Sequence, residues 1–185
     1  MNSFKLTKGV ITMLCIAVIS CSGCKKDKQR TYDLLPAEPE DVTSQASLSV
    51  NIENTGGKTA AEGSPKVIDN DLDSKFLIFT YDSTLYIQLQ FLKAQHITSY
   101  TLTSANDSPT RDPKNWKISA SNDNTTWVDL DSRTDESFAA RRQTNNYEFT
   151  NSSAYKYYRL NVTANGGSTL FQLAEWRVTS IPLNK

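Results

Sequence analysis

The segment RDPKNWKISASNDNTTW, residues 111–127, is the most informative part of the sequence about the fold. Trp116, Ile118 and Ala120 alternate with lysine and serine, which is the period of a β-strand with one face on a core. The proline near its start favours an extended entry of the chain, and the Asn-Asp-Asn that follows the strand is typical of a turn. With Trp127 after the turn, the stretch predicts one unit of an antiparallel β domain.

The same alternation occurs in three other segments of the chain. Their apolar residues are Leu48, Val50 and Ile52; Leu85, Ile87, Leu89 and Phe91; and Tyr158, Leu160 and Val162. Clusters of Asn, Asp, Gly and Pro separate the segments, and none keeps the 3.6-residue period of an amphipathic helix. The chain is therefore predicted to be all-β, an antiparallel sandwich of about six to eight strands with few helices.

The last predicted strand changes phase. Phe171 and Leu173 share one phase, whereas Trp176 and Val178 share the other. A slip of one residue would turn the apolar set to the wrong face unless a β-bulge absorbs it. We therefore expect a bulge at Ala174–Glu175 that exposes the Ala174 carbonyl and turns Glu175 sideways. The alternative is that the strand ends near Leu173.

The N-terminus has the pattern of a targeting segment. Lys5 and Lys8 precede an apolar run over 10–20, which is shorter than the roughly 20 residues that a membrane-spanning helix needs. The run ends in a small residue before Cys21, as in a bacterial lipobox, whose cysteine carries the lipid. Cys24, which follows a glycine, is the alternative lipidation site, and a plain secretory signal is the alternative to both.

These features predict three parts of the chain. Residues 1–20 are expected to be a lipoprotein signal peptide, 21–45 a flexible polar tether, and 46–182 the β domain. All three cysteines lie in the first 24 residues, so the domain holds no disulfide. The expected location is the bacterial cell envelope, anchored by lipid to the outer membrane on its periplasmic or surface face.

Charge excludes one class of partner. The chain has 20 basic and 20 acidic residues, so no basic surplus favours binding to nucleic acid.

Four segments, in order, carry a family resemblance. They are 67–76 (VIDNDLDSKF), 86–91 (YIQLQF), 111–131, and 157–160 together with 171–176. The first is similar to an Ile-Asp-Gly-Asp-x-x-Thr-x-Trp loop, with Asn, Ser and Phe at the substituted positions. The set resembles the discoidin family, also called coagulation factor V/VIII type C domains, which includes the family 32 carbohydrate-binding modules. The resemblance covers residues 47 to about 181 and implies an eight-stranded, galactose-binding-like jelly-roll sandwich.

Alternating acids raise the question of a metal. Asp69, Asp71 and Asp73 lie within five residues, and calcium takes six to eight oxygen ligands. An EF-hand is excluded, because its glycine and glutamate positions hold Ser74 and Thr80.

The family resemblance implies a different calcium site, a structural one. Its ligands would be the Lys66 carbonyl, Asp69, Asp71, Ser74, the Ala174 carbonyl and Glu175. A glutamate in an apolar strand needs a counter-charge, since burying a lone charge costs several kcal/mol. The alternative is that the acids form a solvated turn and that Glu175 pairs with Arg159 or Arg177.

Catalytic chemistry is sparse in this sequence. His96 is the only histidine and is predicted to be a surface turn residue. The sequence has no Gly-x-Ser-x-Gly elbow, histidine pair or phosphate-binding glycine loop. Asp129 and Asp131 are the carboxylate pair that glycoside hydrolysis would need, but they lie on a hairpin edge. The chain is therefore predicted not to be an enzyme.

A binding site is expected at the loops of one end of the sandwich. Sugar sites combine an aromatic ring with planar or charged hydrogen-bonding groups. Tyr81, Asn106, Asp107 and Arg111 are the candidate ligand-binding residues. The alternatives are that Arg111 only locks its loop and that Tyr81 covers the core. Trp116 and Trp127 are assigned to packing, because they keep strand phase.

The resulting hypothesis is a lipid-anchored, non-catalytic module that recognises carbohydrate, with calcium holding its loops. The rival hypothesis is a structural or adhesion protein that docks another protein of the cell envelope.

Overall fold

Eleven antiparallel strands run through residues 37–183, the part of the chain that the computed structural model describes. In chain order they are β1 (Glu40–Asp41), β2 (Ala46–Val50), β3 (Phe76–Ile78), β4 (Tyr86–Gln95), β5 (Ile97–Thr103), β6 (Pro113–Ser121), β7 (Val128–Arg133), β8 (Thr144–Glu148), β9 (Tyr155–Asn165), β10 (Phe171–Leu173) and β11 (Glu175–Ser180). Short 3-10 helices span Thr43–Gln45, Ser64–Val67 and Pro109–Arg111. No helix in this part of the chain is long and apolar enough to cross a membrane. The predicted signal peptide, Cys21 and Cys24 lie outside the described residues.

Two sheets face each other across an aromatic core. The five-stranded sheet has the order β2-β4-β9-β6-β7, and the four-stranded sheet has the order β1-β11-β5-β8. Trp116 of the first sheet donates from Nε1 to the Tyr100 hydroxyl of the second over 2.7 Å, and its ring meets Tyr147 edge-on. A third, two-stranded sheet pairs β10 with β3. This is the predicted antiparallel jelly-roll β-sandwich.

The alternating segments form strands as predicted. Trp116, Ile118 and Ala120 of β6 are buried, and so are the apolar residues of β9 that face the same core. In β2, the strand ends at Val50, so Ile52 lies beyond it although it packs against the core.

The strand count differs from the predicted eight. All three residues of β3 and all three of β10 are buried, so these strands show no alternation. A short strand that is covered on both faces cannot be recognised by its period, which explains why the count was too low.

The phase change at Ala174–Glu175 is not a β-bulge. The chain leaves the two-stranded sheet after Leu173 and joins the four-stranded sheet at Glu175, where β11 pairs with β5. The Ala174 amide donates to the Thr103 carbonyl over 3.0 Å. A change of sheet resets the inward phase, so the bulge prediction is wrong and the alternative, a strand that ends near Leu173, is confirmed.

The domain begins before residue 46. Strand β1 pairs with β11, and Val42 is buried in the core. Asp41 accepts from Arg177 Nε over 2.8 Å. The last residues assigned to the tether, 40–45, are therefore part of the folded domain, because they cover the edge of the four-stranded sheet.

Candidate functional site

Three connections meet at one end of the sandwich. They are residues 104–112 between β5 and β6, residues 166–170 between β9 and β10, and the segment that precedes β3. Ser168 N donates to the Thr110 carbonyl over 3.2 Å. A Cβ on Gly166 would lie 2.8 Å from Thr110 Cα, so the first two connections touch where only glycine leaves room.

Lys75, from the third connection, joins two of the predicted ligand-binding residues. Its Nζ lies 3.1 Å from Asn106 Oδ1 and 2.8 Å from Asp107 Oδ1. Arg111 Nη1 lies 3.8 Å from Asp107 Oδ2. We call these four residues the loop-end cluster. The structure thus gathers Asn106, Asp107 and Arg111, and their role toward a ligand stays a prediction.

Two side chains, the buried Gln172 and the partly exposed Arg141, hold the backbone of the cluster. Gln172 of β10 donates from Nε2 to the Asp107 carbonyl over 2.7 Å and to the Ser108 carbonyl over 3.1 Å. Arg141 donates to the same Asp107 carbonyl over 2.9 Å and also pairs with Asp112. The turn is therefore fixed from below while the Asn106 and Asp107 side chains stay exposed.

Lys75 and Arg111 keep Asp107 of the loop-end cluster ionised. Partial burial acts to raise the pKa of Asp107, but Lys75 and Arg111 outweigh it and hold that pKa below its ordinary value. Asp107 is therefore an ionised acceptor at neutral pH. Lys75 is buried, and its ammonium contacts Asn106, Asp107 and, at 3.6 Å, Glu62.

Tyr81 does not join this cluster. Its ring stacks on Phe171 with the centroids 6.1 Å apart, and its hydroxyl donates to the Val162 carbonyl over 3.1 Å. Burial and the nearby Asp82 raise the pKa of Tyr81 to about 12. Both the face and the hydroxyl of Tyr81 are thus engaged within the fold, as the alternative reading of this residue stated.

Hydrogen bonds link four of the six predicted metal ligands, namely Asp69, Asp71, Ser74 and Glu175. Ser74 Oγ donates to the Asp69 carboxylate over 2.9 Å. The Asp71 amide donates to Asp69 Oδ1 and to Glu175 Oε1, each over 3.2 Å. Asp73 turns away and pairs with Arg142 at 2.6 Å.

Glu175 is the unusual member of this group. Its side chain is almost fully buried, and Oε2 has no hydrogen-bond partner within residues 37–183. Burial first, and the Asp69 carboxylate second, raise the pKa of Glu175 to about 7. Of the two arginines predicted as counter-ions, Arg177 has its Nη1 3.6 Å from Glu175 Oε2. Arg159 lies on the other sheet.

The oxygen atoms of these side chains would bind a hard cation such as calcium only together with backbone carbonyl oxygens. Within the described residues, no three His, Cys, Asp or Glu side chains converge as a metal site. Calcium accepts carbonyl and hydroxyl oxygens beside carboxylates. Asp69, Ser74 and Glu175 therefore fit such an ion if the carbonyls predicted at Lys66 and Ala174 complete the set.

The residues weighed for catalysis have structural partners. The two ring nitrogens of His96 each lie 2.7 Å from a carbonyl oxygen, those of Ile181 and Asn151. Asp129 accepts from Lys117 and Ser119, both at 2.7 Å. Asp131 accepts from the Tyr100 hydroxyl over 2.7 Å and from Arg133 over 2.8 Å.

Sequence reasoning missed three residues that shape the cluster, namely Lys75, Gln172 and Arg141. Gln172 is a polar residue inside the apolar run 170–173, and Lys75 directly precedes the apolar run 76–79. A buried polar side chain needs a partner, so their position in or beside those runs was a usable signal. Nothing local to Arg141 marks its role, since its partners lie about thirty residues away in the chain.

The fold and the exposed polar loop end define a class of protein, the galactose-binding-like β-sandwich modules. The chain belongs to the F5/8 type C domain family, whose sequence profile matches residues 44–176.

Solved structures share this fold. A family 32 carbohydrate-binding module of Clostridium perfringens, in complex with GalNAc-β-1,3-galactose, has a TM-score of 0.63 and 13% identity over 75% of this chain and 99% of its own. An F5/8 type C domain of Bacteroides fragilis has a TM-score of 0.64 and 15% identity over 80% of this chain and 99% of its own.

A curated relative matches a smaller part of the chain. A peptide-N(4)-(N-acetyl-β-glucosaminyl)asparagine amidase of Arabidopsis thaliana is 46% identical over 68 residues, which are 36% of this chain and 9% of that protein.

Proposed function

We propose that this domain is a non-catalytic module that binds carbohydrate through the loop-end cluster. The observation that carries the proposal is the arrangement of Lys75, Asn106, Asp107 and Arg111 on a turn that Gln172 and Arg141 hold in place. Sugar hydroxyls are recognised by donors and acceptors fixed in this way. The related Clostridium perfringens module, solved with GalNAc-β-1,3-galactose, supports this class of ligand.

An exposed aromatic ring is available beside these loops. Phe79 follows β3 and is 48% exposed, in the loop where Tyr81 is engaged by the core. Aromatic rings in sugar sites stack on the apolar C–H face of a pyranose. Phe79, rather than Tyr81, is therefore the ring that this loop offers to a ligand.

Calcium belongs to the same proposal as a structural ion. The ion would be held by the side chains of Asp69, Asp71, Ser74 and Glu175 and by the carbonyls of Lys66 and Ala174. The support is the buried Glu175 carboxylate, one oxygen of which has no hydrogen-bond partner in the described part of the chain and only Arg177, at 3.6 Å, as a neighbouring cation. The ion would supply the counter-charge and would tie the segment before β3 to β11.

A lipid anchor would place the module at the bacterial cell envelope. The support is the sequence around Cys21, with Cys24 as the alternative. Labelling with a fatty-acid analogue tests this: a Cys21→Ser variant should lose the label while Cys24→Ser keeps it. The opposite pattern would assign the lipid to Cys24, and label on both variants would rule out a single lipidated cysteine.

A glycan array tests the binding function. The purified chain should bind a restricted set of glycans, and Arg111→Ala should weaken that binding by about tenfold, the value of a charged hydrogen bond. Lys93→Ala, an exposed lysine near the opposite end of the sandwich, is the matched control and should bind as the parent does. Binding of no glycan, together with co-purification of an envelope protein, would favour the docking hypothesis instead.

A further inference from the structure

The outer face of the five-stranded sheet carries a stack of three side chains. The Arg159 guanidinium carbon lies 4.0 Å from the centre of the Tyr86 ring and 3.9 Å from the centre of the Trp127 ring. All three side chains are half-exposed. We call this stack the Tyr86–Arg159–Trp127 ridge. It accounts for Trp127, which sequence phase had assigned to packing.

Strand register places the ridge in the middle of the sheet. Arg159 of β9 lies opposite Gln88 of β4 on one side and Ser119 of β6 on the other. Its neighbours on β9, Leu160 and Tyr158, point into the core, so Arg159 must point outward. The ridge is therefore on a sheet face and is separate from the loop-end cluster.

Arg159 has no acidic partner. Among residues 37–183, no carboxylate lies within 4.0 Å of its guanidinium, and its only side-chain hydrogen bond runs from Nε to Gln88 Oε1 over 2.7 Å. The nearest acid along the register, Asp129, is already bound by Lys117 and Ser119. The two terminal nitrogens of Arg159 are thus free to donate.

The residues around Arg159 favour binding of a planar anion by its guanidinium. The two rings hold the guanidinium plane in place, so little side-chain freedom is left to lose on binding. A guanidinium fork matches a carboxylate with two parallel hydrogen bonds. The sheet face around the ridge carries the hydroxyl and amide groups of Ser49, Gln90 and Asn161, which are groups that hydrogen-bond to sugar hydroxyls.

We propose that the Tyr86–Arg159–Trp127 ridge is a second carbohydrate site, and that it binds the carboxylate of an acidic sugar, such as a uronic acid unit in a polysaccharide. Arg159 would take the carboxylate through its terminal nitrogens, while Tyr86 and Trp127 hold the guanidinium between their rings. The inference does not depend on the loop-end proposal, since none of its residues belongs to that cluster.

Paired probes test the ridge on the full chain. Tetragalacturonate carries the carboxylates, and galactotetraose has the same ring stereochemistry without them. Binding is measured by calorimetry and by tryptophan fluorescence, to which Trp127 contributes as the one half-exposed tryptophan of the described residues. We expect tetragalacturonate to bind at least tenfold more tightly than galactotetraose and to weaken as salt rises.

Three variants separate the ridge from the other site. Arg159→Gln should lower the affinity for tetragalacturonate tenfold or more. Arg159→Lys keeps the positive charge but not the paired guanidinium donors, so it should lower that affinity less. Arg111→Ala should leave tetragalacturonate binding unchanged although it weakens the loop-end ligand. A sulfated galactose oligosaccharide that binds as tightly as tetragalacturonate would show that the ridge accepts any anionic sugar rather than a carboxylate.

Two results would overturn the proposal. One is that the parent chain binds tetragalacturonate no better than galactotetraose. The other is that a folded Arg159→Gln variant keeps full affinity for tetragalacturonate. If Arg159→Gln does not fold, the fluorescence response of the parent chain to the two probes, repeated with Trp127→Phe, decides the question, because a ridge site requires that response to vanish in Trp127→Phe.

Discussion

Replacing Glu175 with glutamine should reverse its effect on stability according to whether calcium is present. Glu175 is buried at the start of β11, where it accepts from the Asp71 amide and lies beside the Asp69 carboxylate. Glutamine keeps the oxygen that the Asp71 amide needs and has nearly the same size as glutamate. It removes the buried charge without creating a cavity.

The magnitude follows from the pKa of Glu175. Burial and Asp69 raise that pKa from 4.5 to about 7, so the carboxylate binds a proton more tightly in the folded chain than in the unfolded chain. The free energy of unfolding therefore falls as pH rises from about 4.5 to about 7, by roughly 3 kcal/mol at most. In chelator at pH 8, Glu175→Gln should recover about 1–3 kcal/mol, which is a rise in Tm of roughly 4–10 °C for a domain of this size.

In the presence of calcium, Glu175→Gln should be less stable than the parent chain. The ion would stabilise the parent chain through the Glu175 carboxylate, by about 3 kcal/mol at a hundredfold excess over its Kd. Thermal melts at pH 8 with calcium and with chelator measure both effects, and Glu148→Gln, an exposed acid on β8, is the control. A parent Tm that is the same with calcium and chelator would refute the calcium site. A Glu175→Gln variant less stable than the parent in chelator would refute the reasoning about the buried charge.

Three other predictions test the core, the loop contact and the pH dependence. Trp116→Phe removes the indole N–H that Tyr100 accepts and leaves a cavity, so urea denaturation should show a loss of about 2–4 kcal/mol. Gly166→Ala places a Cβ 2.8 Å from Thr110 Cα, so it should weaken binding of the loop-end ligand, whereas Gly167→Ala, with φ at 104° and no neighbour within 4 Å, should cost only about 1 kcal/mol of stability and leave binding intact. In chelator, the Tm of the parent chain should fall between pH 5 and pH 8, and a Tm that rises over that range would contradict the raised pKa of Glu175.

The fold was predictable because its long strands have one covered face. Residues 111–127 show this directly, since Trp116, Ile118 and Ala120 are buried in β6 and the turn that follows uses Asp123 Oδ1 to accept from the Thr125 and Thr126 amides. The sequence did not reveal β3 and β10, because both are fully buried and show no alternation of apolar and polar residues. The change of sheet at Ala174 also escaped prediction, because a phase slip has the same sequence pattern whether the strand bulges or ends.

The candidate sites were predictable only in part, for a related reason. Asn106, Asp107 and Arg111 are close in sequence, so their clustering follows from one turn. Lys75 reaches that turn from about thirty residues away, through a contact that only the packing of β3 creates.

The ridge depends on strand order in the same way. Tyr86, Trp127 and Arg159 come from three distant segments, and only the order β4-β9-β6-β7 brings them to one face.

Carbohydrate binding at the loop-end cluster can be tested by NMR, by following the amide chemical shifts of the full chain during titration with a neutral glycan selected on the array. If the loop-end cluster binds carbohydrate, the shifts should concentrate in residues 104–112 and 166–170 and around Lys75, and Arg111→Ala should need about ten times more glycan to reach the same shifts. Shifts that fall elsewhere, for example along β1 and β11, or a Kd that is unchanged in Arg111→Ala, would contradict binding at this cluster.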